Sequence, residues 1–252
     1  MINMGITQDI QRGKLHSAYA AGLAFDKAKL ALESEGYRVV SLEEQAGLRV
    51  QEGIGSIVSQ RGNWVREAFI FVPNKGFFLT KSSPIMANAR EATKCNRNHK
   101  EFYLNEEQIE KALADSVKAV HARIPTWRFS EEEIISFAFG ENAEPYGKFL
   151  KDNGIDGVKF YLPDAQDKSF ARPAWFYAAN RDQKSTIFGE RYLNYYQDSV
   201  LGVRESANPG DVSVARKTGA RVETYTSEDI QRALRELGFS GLEKQLFKKL
   251  HK

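Results

Sequence analysis

The chain has 252 residues, 42% of them hydrophobic and 27% charged, with 16 Phe, 10 Tyr and a single cysteine, Cys95. This composition excludes a wholly disordered chain, and one cysteine excludes an internal disulfide and a cysteine-rich zinc site. The net charge of +3 sits in the last 12 residues, where Lys244, Lys248, Lys249 and Lys252 face only Glu243, so the rest of the chain is neutral and a nucleic-acid partner is not expected.

The first 12 residues are polar and contain no apolar stretch of the kind a secretory signal needs. No apolar run approaches the roughly 18 to 20 residues of a membrane helix. No signal peptide or membrane segment is expected, which is compatible with a cytoplasmic or a virion-associated protein and leaves the location open. Residues 16–35 read as an amphipathic helix, with Leu15, Tyr19, Leu23, Leu30 and Ala31 near helical spacing and Gly36 as its C-cap. Residues 37–42 then read as a short strand. Gly53-Ile54-Gly55 lacks the third glycine of a dinucleotide fingerprint, and no phosphate-loop lysine follows a glycine run.

Residues 68–72 and 77–80 flank Pro73-Asn74-Lys75-Gly76, the pattern of a hairpin. Cys95 and His99 fall in a polar stretch that reads as a solvated loop; four residues apart the pair could meet, but nothing marks an oxyanion hole. The nearby Arg90, Lys94, Arg97 and Lys100 have no interleaved aromatics to mark a nucleic-acid site. The four histidines, at 16, 99, 121 and 251, lie too far apart for a helical metal motif.

Residues 105–121 give the clearest helical signal. Asn105 and Gln108 form a capping-box pattern, Ile109, Leu113, Val117 and Val120 make the apolar stripe, and Pro125 closes the segment. Residues 130–139 follow with Ser130 as the cap, three glutamates in the first turn and Gly140 at the end. A short helix over 146–153 ends at Asn153-Gly154, residues 155–162 continue as turn and strand, and Asp156-Gly157 is the turn. Residues 173–178 and 200–204 read as strands, and 226–250 as a helical region divided by Gly238, with Ser240 capping its second half. Helices and strands do not alternate regularly, so the fold class is α+β rather than a parallel α/β sheet.

Two chemical alternatives arise from the residues. Asp182-Gln183-Lys184 is one match to the acidic-x-Lys spacing of metal-dependent nucleases and other phosphoester-processing enzymes. The basic tail offers a nucleic-acid-binding accessory role. Neither has supporting clusters elsewhere.

Residues 177–199 stand out by composition. They hold four of the ten tyrosines, Tyr177, Tyr192, Tyr195 and Tyr196, together with Asn180, Asn194, Asp182, Asp198, Ser185 and Ser199, and no proline. Tyrosine supplies large, rigid, amphipathic contact area, and Asn, Ser and Asp supply adaptable hydrogen bonds, so this is the composition of a paratope. A polar β-meander with cross-strand tyrosines is the plainer alternative.

Arg172-Pro173-Ala174-Trp175-Phe176, then Gly189, then Leu201-Gly202-Val203-Arg204-Glu205 resembles the C-terminal part of C-type-lectin-fold proteins, in particular the formylglycine-generating-enzyme-like branch with its Gly-Val/Phe-Arg strand. Trp strand, Tyr/Asn/Asp/Ser-rich segment and Gly-Val-Arg strand follow in an order similar to archaeal and archaeal-virus variable proteins of diversity-generating retroelements. The helical tail around residues 225–230 and 241–246 is similar to theirs. The resemblance spans residues 155–252.

It implies a C-type-lectin-like domain over residues 1–205, with a helix-rich N-terminal half, and a helical tail over 206–252 packed on it. It further implies a non-enzymatic, ligand-binding protein whose adenine-rich codons are diversified by an error-prone reverse transcriptase. The ligand would be a protein or another macromolecule, with no cofactor. Clustered calcium-ligand oxygens are not evident, so no calcium dependence is expected. Carried over by position, the variable contacts are Tyr177, Asn180, Asp182, Ser185, Phe188, Glu190, Tyr192, Asn194, Tyr195, Tyr196 and Asp198, with Trp175 and Gly202 to Arg204 as scaffold.

Overall fold

The computed structural model describes residues 5–179, 185–189, 193 and 199–206. The strands are β1 (Gly5–Gln8), β2 (Leu15–Ala21), β3 (Arg38–Val39), β4 (Asn63–Val72), β5 (Gly76–Thr80), β6 (Phe102–Tyr103), β7 (Ser116–Ala119), β8 (Arg123–Pro125), β9 (Gly157–Tyr161), β10 (Phe170–Phe176), β11 (Thr186–Phe188) and β12 (Ser199–Glu205). The helices are α1 (Phe25–Ser34), α2 (Leu42–Glu52), α3 (Ile57–Gln60), α4 (Pro84–Ala87), α5 (Ala89–Arg97), α6 (Glu106–Ala114), α7 (Glu133–Phe139) and α8 (Ala143–Asp152).

The strands form one sheet in the order β1-β2-β12-β4-β10-β11-β9-β8, with β3 beside Gly202 and Val203 of β12, β5 and β7 continuing from β4, and β6 on β10. Pairing is antiparallel except for β12 with β4 and β11 with β9. Helices cover both faces. On one face Val65, Phe69, Phe160, Phe176, Ile187, Leu201 and Val203 pack against Leu42 and Ala46 of α2, Ile135 and Phe139 of α7, and Tyr146 and Leu150 of α8. On the other, Ala18, Ala20, Trp64, Ala68, Ile70, Trp175 and Val200 meet Phe25, Ala28 and Leu32 of α1, Ile85 of α4, Ala92 of α5 and Ala112 of α6. This split follows from the period-2 alternation of strand side chains.

Several expected elements are present. The hairpin of β4 and β5 pairs Val72 with Gly76, and Asn74 and Gly76 adopt the positive φ the turn requires. Asn105 and Gln108 make the reciprocal capping-box bonds at the start of α6. Gly36, at φ 75°, ends α1 in a Schellman motif, with the Tyr37 N–H bonded to the Leu32 carbonyl and the Gly36 N–H to that of Glu33. α8 and β9 fall where residues 146–162 placed them.

Others are corrected. Residues 16–35 are not one helix: Leu15–Ala21 is a strand between β1 and β12, and the helix begins only at Phe25. Leu30, counted on its apolar stripe, is exposed. Residues 37–42 are a two-residue strand followed by α2, whose N-cap Ser41 forms a capping box with Glu44. The helix over 105–121 stops at Ala114, and Val117 and Ala119 lie in β7 because they pair with Leu79 and Phe77 of β5. Ser130 is not a cap, since α7 starts at Glu133. The polar stretch holding Arg90, Lys94 and Cys95 is helix α5 rather than a loop, held by the buried Ala92, Thr93 and Asn96. The tail over 206–252 lies outside the described residues apart from Ser206.

Candidate functional site

β10 carries the chain to the start of the tyrosine-rich segment. All seven of its residues are buried. Arg172 is fixed by a buried, two-point ion pair with Glu101. Pro173, which has no N–H to donate, stands between the stretches paired with β6 and β11, where that edge of the strand has no described partner. Trp175 stands edge-on to Trp64, with ring centroids 4.7 Å apart. These contacts make Trp175 a scaffold residue, as expected, and Gly202 and Val203 of β12 are likewise buried. A Cβ on Gly202 would stand 2.7 Å from Leu32 Cδ2, which explains glycine there.

Beyond β10 the segment is pinned at intervals. The Tyr177 N–H bonds to the Thr186 carbonyl at 2.7 Å, tying the end of β10 to the start of β11. The Ala179 N–H bonds to the Ser59 carbonyl, also at 2.7 Å. Gly189 donates its N–H to the Tyr161 carbonyl, and a Cβ there would stand 2.7 Å from the Phe69 ring. Leu193 is buried beside α5 and its N–H reaches Asn96 Oδ1. Ala178, Ala179, Ile187 and Leu193 are all buried, so the small and apolar residues of this segment are its anchors.

Of the expected contacts, Tyr177 and Phe188 are partly exposed and touch each other edge to face, with centroids 5.7 Å apart. Phe188 stacks on Tyr161 at 5.1 Å, and Tyr161 meets His121 at 4.7 Å. The Lys159 ammonium lies 3.7 Å from the centre of the Tyr161 ring, a cation–π contact. A row of rings therefore runs from Tyr177 through Phe188 and Tyr161 to the exposed His121. His121 in turn lines an open cavity of about 560 Å³ with Lys118, Leu162 and Asp164. Tyr161, Lys159 and His121 were not singled out from the sequence, because they come from β9 and the β7–β8 turn and no local pattern joins them to residue 177.

Ser185 is corrected. It was expected as a ligand contact, but it is fully buried, has φ 47°, and its hydroxyl lies 2.6 Å from Tyr146 Oη. Asn180, Asp182, Glu190, Tyr192, Asn194, Tyr195, Tyr196 and Asp198 lie outside the described residues, as does Lys184.

Arg49 of α2 was also missed. It is fully buried, and its donors go to uncharged acceptors: Nε to the Val58 carbonyl at 3.0 Å, one terminal nitrogen to Tyr146 Oη at 3.0 Å, the other to the Tyr177 carbonyl at 2.8 Å and the Phe176 carbonyl at 3.5 Å. The guanidinium lies 3.8 Å from the Phe176 ring centre. A signal existed in the sequence, for Leu42, Gln45, Ala46 and Arg49 share the i, i+3, i+4, i+7 stripe and all four are buried. Gln45 in turn exchanges side-chain hydrogen bonds with Asn63 at the start of β4, at 2.7 and 2.9 Å.

Among the described residues no group of three or more His, Cys, Asp or Glu is placed to hold a metal ion, and no helix is long and apolar enough to cross a membrane.

No protein-family model and no curated protein matches the chain. A solved structure does: a C-type-lectin-fold protein in work on how that fold accommodates massive sequence variation in Nanoarchaeota. It aligns over 79% of this chain and all of its own length, with a TM-score of 0.54 and 14% sequence identity. At that identity the likeness establishes the C-type lectin fold and nothing narrower.

Proposed function

We propose that the protein is a ligand-binding scaffold of the formylglycine-generating-enzyme-like branch of the C-type lectin fold, a variable protein of a diversity-generating retroelement, and that it acts by binding rather than by catalysis. The binding face centres on residues 177–199. The observation that carries this reading is the division of labour within the segment: the small and apolar Ala178, Ala179, Ile187, Gly189 and Leu193 are buried anchors, while Tyr, Asn, Asp and Glu residues fill the positions between them. A scaffold whose anchors differ in kind from its contact residues lets the contacts change while the backbone stays put. The solved neighbour, in which this fold accommodates massive sequence variation, supports the same reading.

The contact set is Tyr177, Asn180, Asp182, Phe188, Glu190, Tyr192, Asn194, Tyr195, Tyr196 and Asp198, without Ser185. Tyr161, His121 and Lys159 extend it as a fixed aromatic and cationic margin continuous with Phe188. Aromatic anchors beside adaptable polar groups suit a protein ligand, where buried rings contribute most of the affinity.

The gene tests the reading directly. The account expects adenine-rich codons at the contact positions and a near-copy of that stretch beside a reverse transcriptase gene. A locus with neither would contradict the retroelement assignment. Binding is tested separately, by randomising the contact positions in the full chain and selecting against a panel of unrelated proteins. Specific binders are expected, and their complete absence would overturn the display role.

A further inference from the structure

Tyr177 lies just past the end of β10 and Ser185 just before β11, and one buried side chain reaches both. Arg49 donates to the carbonyl of Tyr177 at the exit, and through Tyr146 Oη it reaches the Ser185 hydroxyl at the return. A guanidinium only donates, so the phenol oxygen of Tyr146 accepts from Arg49; between Tyr146 Oη and Ser185 Oγ, 2.6 Å apart, either hydroxyl can be the donor.

Three further features belong to the same cluster. Arg49 Nε holds the Val58 carbonyl, and the next carbonyl, that of Ser59, takes the Ala179 N–H. Ser185 has φ 47°, a conformation that side chains other than Gly, Asn and Asp rarely adopt, so something must hold it. The Lys159 N–H on the Ser185 carbonyl and the Tyr146 contact on its hydroxyl do so.

The charge itself is informative. A buried guanidinium without a carboxylate must be solvated by fixed dipoles, and among the described residues Arg49 has no ion pair. A purely structural cation is usually matched by an anion, as Arg172 is by Glu101. Arg49 is matched instead by the backbone carbonyls of Val58, Phe176 and Tyr177 and by a hydroxyl relay to Ser185. Backbone acceptors are present whatever the side chains are, so this arrangement is indifferent to the sequence of residues 180–184.

We propose that Arg49, Tyr146 and Ser185 form a buried clamp that fixes Tyr177 after β10 and Ser185 before β11, so that the sequence between them can change without disturbing the sheet. Arg49 is a positioning residue: it acts on the binding face through backbone and hydroxyl groups. The proposal rests on the display reading for its biological use, but the clamp is testable without any ligand.

The experiment measures residue-level amide hydrogen exchange in the full chain. Tyr146→Phe and Ser185→Ala each remove one hydroxyl from the relay and are the informative variants. Arg49→Lys keeps the charge but loses the fork, and the hydroxyl variants carry the test even where it fails to fold. The amides of Tyr177 and Ala179 are expected to exchange about tenfold faster in the hydroxyl variants, while those of Ile70 and Leu201 stay unchanged.

A second arm replaces residues 180–184 with alanine. In the otherwise native chain this is expected to leave Tyr177 exchange unchanged, and in the Tyr146→Phe background to accelerate it further. That dependence on the clamp is something an ordinary core contact would not produce. Exchange that rises evenly across the chain, exchange that does not change at Tyr177, or an alanine loop that loosens the native clamp would each overturn the proposal. A failed binder selection with the expected exchange pattern would sink the display reading and leave the clamp standing.

Discussion

Replacing Glu67 by Gln should change the way stability depends on pH. Glu67 lies in β4 and is 1% exposed. One carboxylate oxygen accepts the Leu42 N–H at the start of α2, at 3.0 Å, and the other is buried with no hydrogen-bond partner among the described residues. Burial pushes its pKa from 4.5 up to about 7, against the lowering pull of backbone N–H groups, including that of Leu42, and of Arg66, while Glu44 adds to the rise. Between those two values the native state holds a proton that the unfolded chain has released. Stability therefore falls as pH rises through this window and levels off above about 7.

At about 1.4 kcal/mol per pKa unit, keeping Glu67 charged in the fold costs about 3 kcal/mol at high pH. Gln keeps the acceptor for Leu42 but does not ionise. The stability of Glu67→Gln relative to the native chain should then improve by about 2–3 kcal/mol on going from about pH 5 to about pH 8, whatever constant offset the new amide introduces. Urea unfolding of both proteins at the two pH values measures this. Parallel pH profiles for the two would show that Glu67 titrates normally and refute the reasoning.

Other outcomes follow from the same packing. Glu101→Ala removes the two-point carboxylate partner of Arg172, whose side chain is only 6% exposed, and should lower stability by on the order of 3 kcal/mol in chemical unfolding, with little relief from salt. Gly189→Ala drives a Cβ against Phe69 and should lower stability by about 1–3 kcal/mol, readable as a fall in melting temperature, whereas Tyr177→Ala, at a partly exposed ring, should cost less than either. Chelation with EDTA should leave the melting temperature unchanged, and a drop of several degrees would reveal a metal site.

What was legible in the sequence was local. Capping boxes, the 73–76 turn and Gly36 act within a few residues, and they appear where the residues put them. The failures came where tertiary contacts override propensity. Residues 16–21 look helical because Leu15, Tyr19 and Leu23 fall at helical spacing, yet they lie in a strand covered on both faces, and the small Ala18 and Ala20 are what let Phe25 and Leu32 of α1 pack close. Val117 reads equally well in a helical stripe or in a strand, and pairing with Leu79 decides. α5 escaped notice because its buried face is Ala92, Thr93 and Asn96, which make no apolar stripe.

The candidate site divides in the same way. Composition pointed to residues 177–199, but composition counts residues without knowing their faces. It therefore included Ser185, which points into the core, and omitted Arg49, Tyr146 and Tyr161, which arrive from elements far away in the chain.

The central claim is that one set of residues holds the fold while another binds. Taking a binder selected from the randomised library, all contact positions from Asn180 to Asp198 other than Phe188 can be replaced together by serine, leaving Ala178, Ala179, Ile187, Phe188, Gly189 and Leu193 in place, with melting temperature and affinity for the selected target measured side by side. The account predicts an unchanged melting temperature with binding abolished. A chain that unfolds, or one that still binds its target, would contradict it.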